Sequence, residues 1–502
     1  MTAPAVPLSV TGSIVAPTLR LTQLTDAEQL ECDRLQRRLF DQAGVLKMLD
    51  AYYNGEQQMT TLGISLPPEL EGLRTVLGWP RLAVDPLHER LDVDGFRFPD
   101  ADNADEGMWE IWQRNDLDTE APMGWLDSLI FGTSYIMVGT SDDGSDVPLV
   151  TIESPMNMAV NWDPRKRAVR SAIQVYQDDD GHHYATLALP TQTIELGAND
   201  RGEWEITNRD QHRLGAVPVM RMANRSRVHD RRGRSEITPE LRSITDSAIR
   251  AMLRMEVGAE FYSTPQRYAI GASMQDFQDA DGNVKSAWET YIGRYLMMER
   301  DADGNAPEVG QFSPADPSAH TKVLEEYTRK AASMIGLDPS YLGLTSSNPA
   351  SADAIRMSTD RLVQKAKRKQ KGFEGAVEGA MRFALAFQRG EVPDNAQMIE
   401  TLWRAPEIPT PAATTDAIVK QIESGYLSAD SDVAGAKLGY TAVERRQIAA
   451  DRKRAQADMN AQALLQRALP GQRDEPRPAV RPAPGAQERA QGDQQPRGEP
   501  RQ

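Results

Sequence analysis

Apolar residues recur at three- and four-residue intervals in several long stretches of this chain, separated by a stretch where they alternate with polar ones. The first helical pattern follows Thr25-Asp26-Ala27-Glu28 and places Leu30, Leu35, Leu39, Val45 and Leu46 on its apolar positions. It runs into Tyr52-Tyr53-Asn54-Gly55, where Asn-Gly stops it. Shorter helices are predicted over 69–77 and 88–91, and a short helix around Trp109, Ile111 and Trp112. Alternation then takes over. Strand-like runs at 135–139, 149–153, 168–176, 184–189, 193–196, 204–208 and 217–222 are separated by turn clusters such as Ser141-Asp142-Asp143-Gly144 and Asp178-Asp179-Asp180-Gly181.

The helical period returns at Thr238-Pro239-Glu240, an N-cap, a first-turn proline and an acid at the positive end of the helix dipole. Leu241, Ile244, Ala248, Met252, Met255, Ala259 and Tyr262 carry it for a rod of roughly 36 Å. An insert at 263–315 contains Asp-Ala-Asp-Gly-Asn twice. A second helix, 318–335, is broken by Gly336-Leu337-Asp338-Pro339. A polar loop, Thr345-Ser346-Ser347-Asn348-Pro349, leads into a long helix carrying a dense basic block. A strand at 398–403 and two smaller helices complete the pattern, the second opened by a Thr441/Glu444 capping box and running to about 469. The fold class is therefore α+β, mainly helical. Residues 1–24 and 470–502, rich in Pro and polar residues and without aromatics in the tail, are expected to be disordered.

At 502 residues, with 40% apolar content, the chain supports two or three structural regions. No apolar run approaches the roughly 18 residues of a membrane span. The N-terminus lacks the basic-then-apolar pattern of a signal peptide, so a soluble protein made in the cytoplasm is expected. The single Cys32 excludes an internal disulfide and a cysteine-cluster metal site, and is expected to pack as a small apolar residue. A net charge of −16 argues against a protein that coats nucleic acid by counterion release. It is compatible with one that lets DNA pass without gripping it. Between positions 92 and 120 ten acidic residues face two basic ones, the composition of a solvated surface.

Candidate chemistry is sparse. In a calcium loop, Gly282 at position 6 would put Phe277 at position 1 and Trp288 at position 12; aligning Gly304 leaves Gly310 at position 12. Asp279, Asp281, Asp301 and Asp303 thus read as Asp/Gly turns. Gly132-Thr133-Ser134-Tyr135-Ile136 starts like a nucleophile elbow but lacks its closing glycine, and reads as a strand start after a helix. No phosphate-cradling loop ends in Gly-Lys-Ser/Thr. His182-His183 stands on a turn without acidic or thiol partners at ligand spacing, so zinc is not expected. No metal or cofactor is expected at all, and no catalytic residue is assigned. Lys365, Lys367, Arg368, Lys369 and Lys371 are the residues with nucleic-acid character. Successive residues step about 100° round a helix, so these five cannot share one face. Arg225, Arg227, Arg231, Arg232 and Arg234 form a second cluster, read as a loop packed against acidic neighbours.

Taken in order, several segments resemble bacteriophage portal proteins of the siphophage type, in particular those of actinobacterial phages. They are Tyr52-Tyr53-Asn54-Gly55, Arg90-Leu91-Asp92-Val93-Asp94-Gly95-Phe96, Phe131-Gly132-Thr133-Ser134-Tyr135-Ile136, Gly233-Arg234-Ser235-Glu236-Ile237, Thr264-Pro265-Gln266-Arg267 and Asn348-Pro349-Ala350-Ser351-Ala352. The resemblance implies a ring, usually a dodecamer, at one capsid vertex, through which double-stranded DNA is packaged and ejected. It implies a wing (25–235, with the β-rich part), stem helices (236–262 and 317–337), a clip (263–316), a tunnel loop (338–350), a long helix and strand (351–410) and a helical crown (411–469). Thr345, Ser346, Ser347 and Asn348 would then line the bore. Asp279, Asp281, Trp288, Asp301 and Asp303 would lie on the clip that meets the terminase large subunit and later the head–tail adaptor. The basic block would contact DNA phosphates or neighbouring subunits. Major capsid and scaffolding proteins are implied as further partners, with the portal nucleating procapsid assembly and residing in the host cytoplasm until then. Two other readings compete: a minor capsid or scaffold protein, told apart by its distributed position in the shell, and a nucleic-acid-processing subunit, which would need a carboxylate cluster that the sequence does not offer.

Overall fold

Thr25 opens the first helix, α1 (Asp26–Asn54), through a reciprocal capping box: its hydroxyl accepts from the Glu28 N–H, and the Glu28 carboxylate accepts from the Thr25 N–H at 2.9 Å. Gly55, in the left-handed region at φ 74°, ends it as the Asn-Gly pair predicts. The computed structural model describes residues 23–57, 75–99, 101, 104–141, 144–199, 204–262, 267–270, 308–311, 318–344, 352–407 and 411–468. They form two units, divided after Ile408.

In the first unit, α1 lays Cys32 and Leu35 against one face of a five-stranded antiparallel sheet, with β strands in the order β4 (Met158–Asp163), β5 (Ala168–Gln177), β6 (His183–Ala188), β7 (Gln192–Ala198) and β8 (Trp204–Gln211). Cys32 is fully buried and its thiol is pushed up to about 12 by burial, so it acts as an apolar filler, as expected. The opposite face packs on Tyr135, Val217 and Val219. These belong to or adjoin a second sheet, β3 (Leu149–Glu153), β2 (Thr133–Gly139) and β9 (Val219–Ala223).

The main core lies beyond that second sheet. It gathers α2 (Trp79–Leu82), α3 (Asp85–His88), α4 (Glu106–Arg114), α5 (Leu117–Phe131), the start of α6 (Pro239–Tyr262), the end of α7 (Ser318–Ile335) and the long α8 (Ala352–Arg389). At its centre Trp125 of α5 stacks on Phe373 of α8, with ring centroids 5.5 Å apart, and tilts against Trp403. A two-stranded ribbon, β1 (Val93–Arg97) with β12 (Glu400–Trp403), closes this core. Gln370 of α8, itself buried, stitches it down by donating to the carbonyls of Arg90 (3.0 Å) and Arg404 (2.9 Å). Helices α6 and α7 pack along each other, and between them in the chain β10 (Arg267–Ile270) pairs antiparallel with β11 (Glu308–Gln311).

Four expectations change. The helix predicted over 88–91 sits one turn earlier, because Asp85-Pro86 supplies its first turn. Of 69–77, residues 69–74 lie outside the described residues and 75–77 form no regular element. The acidic stretch 92–120 holds the short helix expected around Trp109, Ile111 and Trp112, as α4, but also β1 and the start of α5, which passes through Pro122. Finally, β4 was not predicted. The second unit holds α9 (Pro411–Glu423), α10 (Asp432–Lys437) and α11 (Ala442–Ala468), the last opened by the predicted Thr441/Glu444 box. Among the described residues no helix is long and apolar enough to cross a membrane.

The cap of α1 is also an electrostatic anchor. Arg209 of β8 binds Glu28 at 2.7 Å and, with Thr25 and Gln192, holds its carboxyl down at about 2 against the opposing effect of burial. A depressed carboxylate pKa stabilises the fold above the unfolded value near 4.5, and that contribution disappears as pH falls through about 2. Glu28→Gln should therefore lower the unfolding temperature by a few degrees at pH 7, with the deficit shrinking as pH falls below 4.5. Thermal melts of both proteins across that range check this; a deficit independent of pH would contradict it.

Candidate functional site

The turn from β9 to α6 is built on two glycines. Gly132, in the left-handed region at φ 94°, caps α5, and Gly233, at φ 95°, lies directly across from it. A Cβ on Gly233 would come within 1.9 Å of the Gly132 carbonyl oxygen, so the two backbones can meet only without side chains. The contact is fixed by Asn224 N–H donating to Gly132 O (2.9 Å), Arg234 N–H to Asn224 O (2.7 Å) and Glu236 N–H to Leu129 O (2.9 Å). It turns Asn224 and Glu236 inward, toward α8.

There they meet Lys369. Its ammonium donates to Asn224 Oδ1 and Glu236 Oε1, while the Asn224 amide donates to Glu236 Oε1 (3.0 Å) and the Arg234 carbonyl (2.8 Å). Lys369, Asn224 and Glu236 are all buried. Arg225 adds a second cation 3.6 Å from Glu236. Burial pushes the Glu236 carboxyl up, but Lys369, Arg225 and Asn224 together hold it below the usual carboxylate range. One helical turn earlier, Lys365 donates to the Ile335 carbonyl at the C-terminal end of α7, where a cation is favoured by the helix dipole. Gly336, at φ 78°, ends that helix against Arg361 and Lys365.

These elements enclose a cleft of about 610 Å³, into which α8 presents Arg361, Lys365, Arg368 and Gly372 at i, i+4, i+7 and i+11. The basic block thus divides by helical geometry. Lys365 and Lys369 turn inward, Arg368 lines the cleft, and Lys367 and Lys371 are exposed, with Lys367 paired to Glu407. Arg225 and Arg234 of the second basic cluster contact Glu236 and Asp230.

The other predicted site residues are not brought here. Thr345, Ser346, Ser347 and Asn348, and Asp279, Asp281, Trp288, Asp301 and Asp303, lie outside the described residues. Ser134 is fully buried and hydrogen-bonds to Ser128 and the Gly124 carbonyl, which is the chemistry of a packed strand start. One reading is corrected: His182 does have acidic neighbours. Asp178 lies 3.3 Å from its Nδ1, and the ligand atoms of Asp178, Asp180 and His182 fall within 4.8 Å of one another on the β5–β6 turn. Asp180 and His182 are exposed there, and Asp178 accepts from the turn's own His182 N–H.

Comparison with known proteins decides the family. Residues 33–452 match the family model described as "Phage portal protein, SPP1 Gp6-like". The chain is 38% identical to the portal protein of Mycobacterium phage D29 over 425 residues (83% of this chain, 87% of that protein). It is 39% identical to the portal protein of Mycobacterium phage L5 over 407 residues (79% and 83%). The chain belongs to the phage portal protein family. Portal proteins are structural, non-enzymatic components of the virion at the capsid vertex, and this chain shares that role. Chains in two solved particles are also similar: "Neck of empty GTA particle computed with C6 symmetry" (15% identity, TM-score 0.38, 72% of this chain and 90% of that one) and "Neck of native GTA particle computed with C12 symmetry" (16%, 0.38, 72% and 88%).

For a portal chain the buried junction matters as architecture: it joins the start of α6, the β9 turn and α8. The sequence singled out Lys369 as basic and gave Glu236 only within a portal-like segment; it offered no signal for Asn224 or Arg361. The Gly233-to-Ile237 segment carried a signal, an acid between glycine turn and helix cap, but its partner lies 133 residues away. Removing one member of a buried pair strands the other charge and costs about 3–5 kcal/mol, whereas replacing both with apolar groups recovers much of it. Lys369→Met and Glu236→Gln should each destabilise by that order in urea unfolding, with the Lys369→Met/Glu236→Leu double variant closer to wild type. Single variants within about 1 kcal/mol of wild type would show that the pair is not a structural anchor.

Proposed function

We propose that copies of this chain close into a ring, a dodecamer, whose axial passage conducts double-stranded DNA during genome packaging and ejection. The observation that supports this most is the helix pair of α6 and α7. The β10–β11 ribbon lies between them in the chain, and α7 turns through Gly336 and a 3₁₀ segment (Pro339–Leu342) toward α8. On this reading 236–262 and 317–337 are stem helices and 263–316 is the clip. The loop at 338–350, with Thr345, Ser346, Ser347 and Asn348, faces the bore. Residues 25–235 are the wing and 411–469 the crown. The clip, with Asp279, Asp281, Trp288, Asp301 and Asp303, would dock the terminase large subunit during packaging and the head–tail adaptor afterwards. Contacts with capsid and scaffolding proteins would let the ring nucleate a procapsid in the host cytoplasm.

The charge balance suits a conduit. An acidic wall repels phosphates, so a duplex slides rather than sticks, and small hydroxyl and amide side chains at the narrowest point offer little grip. Ring closure also suits a portal chain with 6% aromatic residues, because each copy gains apolar burial on two neighbours. Phe40 of α1, 76% exposed, is one large apolar side chain that such a neighbour could cover.

Two measurements test this. Native mass spectrometry of the purified protein should give one closed species of about twelve copies; monomers at every concentration would refute it. Replacing both Ser346 and Ser347 with Trp should leave ring formation intact while sharply reducing packaged DNA per particle. Full genome filling in that variant would remove the loop from the bore.

A further inference from the structure

The cleft beside the buried junction carries more positive charge than the described residues neutralise. Lys369 and Glu236 compensate each other inside it, and Lys365 is engaged by the Ile335 carbonyl. Arg225 lies near Glu236 and also acts electrostatically on Glu240 at the start of α6. Arg361 and Arg368 remain. Both are exposed at the cleft, two helical turns apart on the face of α8 that lines it, and neither has a carboxylate partner among the described residues. Arg361 is also crowded by its own kind: its guanidinium and the Lys365 ammonium lie within about 3 Å of the position a Gly336 Cβ would take. Like charges held this close, with the N-terminus of α6 turned into the same cleft, favour an incoming anion.

We propose that this cleft receives an exposed carboxylate side chain of a second copy of the chain, held between Arg361 and Arg368. This rests on the ring reading above. Three features favour a carboxylate on a protein over a phosphate on a duplex. The site is a concavity rather than an open surface. Its walls already hold Glu236 and Glu240, which tolerate a singly charged carboxylate better than the dense charge of a nucleic-acid backbone. And the chain carries 73 acidic residues against 57 basic ones, so a neighbouring copy presents acidic surface in excess. In a closed ring of identical copies each interface joins two different faces, so a basic cleft lying in that interface would meet a different, acidic face of the next copy. Guanidinium groups hold a carboxylate through paired hydrogen bonds, which fixes the angle between copies as well as attracting them.

The test uses the full-length chain. Arg368→Lys keeps the charge and adds an amine; rings assembled from an equal mixture of ¹⁴N- and ¹⁵N-labelled copies of this variant are treated with a water-soluble carbodiimide. Mixed-isotope cross-links from position 368 to an aspartate or glutamate are expected in mass spectra. Cross-links found only within one isotope would overturn the proposal. In parallel, Arg361→Glu/Arg368→Glu should raise the concentration at half-assembly at least tenfold, while Arg361→Lys/Arg368→Lys, which keeps the charge but loses the paired hydrogen bonds, shifts it by clearly less. The protomer's melting temperature and circular dichroism should be unchanged in both. Unchanged assembly of the charge-reversed variant would overturn the inference and leave the ring standing. So would normal assembly with a loss of duplex DNA binding, which would assign the cleft to phosphate. Wild-type protein that forms no ring would overturn both readings together.

Discussion

A single lysine inside the protein ties together segments that the chain keeps far apart. Lys369 sits on the longest helix, α8, and its ammonium is bound by Asn224 and Glu236 on the turn between the last strand of the small sheet and α6. Burying a charge is costly, and this one is retained because both oxygens it meets are aimed at it by backbone contacts of the same turn. The turn in turn depends on Gly132 and Gly233 passing without side chains. The buried pair therefore fixes where α6 starts relative to α8. Lys365, one turn along, fixes where α7 ends. Two helices that form a matched pair are thus registered at one end by two lysines of a third.

That arrangement suits a structural component better than a catalyst. The charged groups gathered at the junction are spent on one another or on helix ends, and Ser134, the serine with the most enzyme-like sequence context, is locked in packing. What remains available is the outer rim of the cleft, at Arg361 and Arg368. On the ring reading proposed above, that rim is where a neighbouring copy would bind.

Much of this was legible in the sequence, for physical reasons. α6 announced itself through Thr238, Pro239 and an unbroken apolar period, and α1 through its capping box and its Asn-Gly stop. Most strands of the five-stranded sheet followed from alternation between Asp/Gly turns. The strands that escaped did so for different reasons. β1 contains Asp94 and Gly95 and exists because β12, 303 residues later, pairs with it and Arg404 neutralises Asp92 and Asp94. β4 is short and interrupted by a bulge at Asn161 and Trp162, which breaks the period that would have revealed it. The basic block read as uniform because sequence gives only spacing; Glu236 and Asn224 were needed to draw Lys369 inward. Local patterns carry local structure, and the site is made of long-range pairs.

On the ring reading proposed above, each copy forms one sector of a ring whose bore is set by the connection between α7 and α8. The decisive experiment is a reconstruction of the assembled protein viewed along its symmetry axis, at a resolution that traces the backbone. Residues 345–348 of every copy should meet at the narrowest point of an open axial passage, with α6 and α7 forming its wall and the β10–β11 ribbon at one end. A ring with those residues on its outer surface, or an assembly with no axial passage, would contradict it.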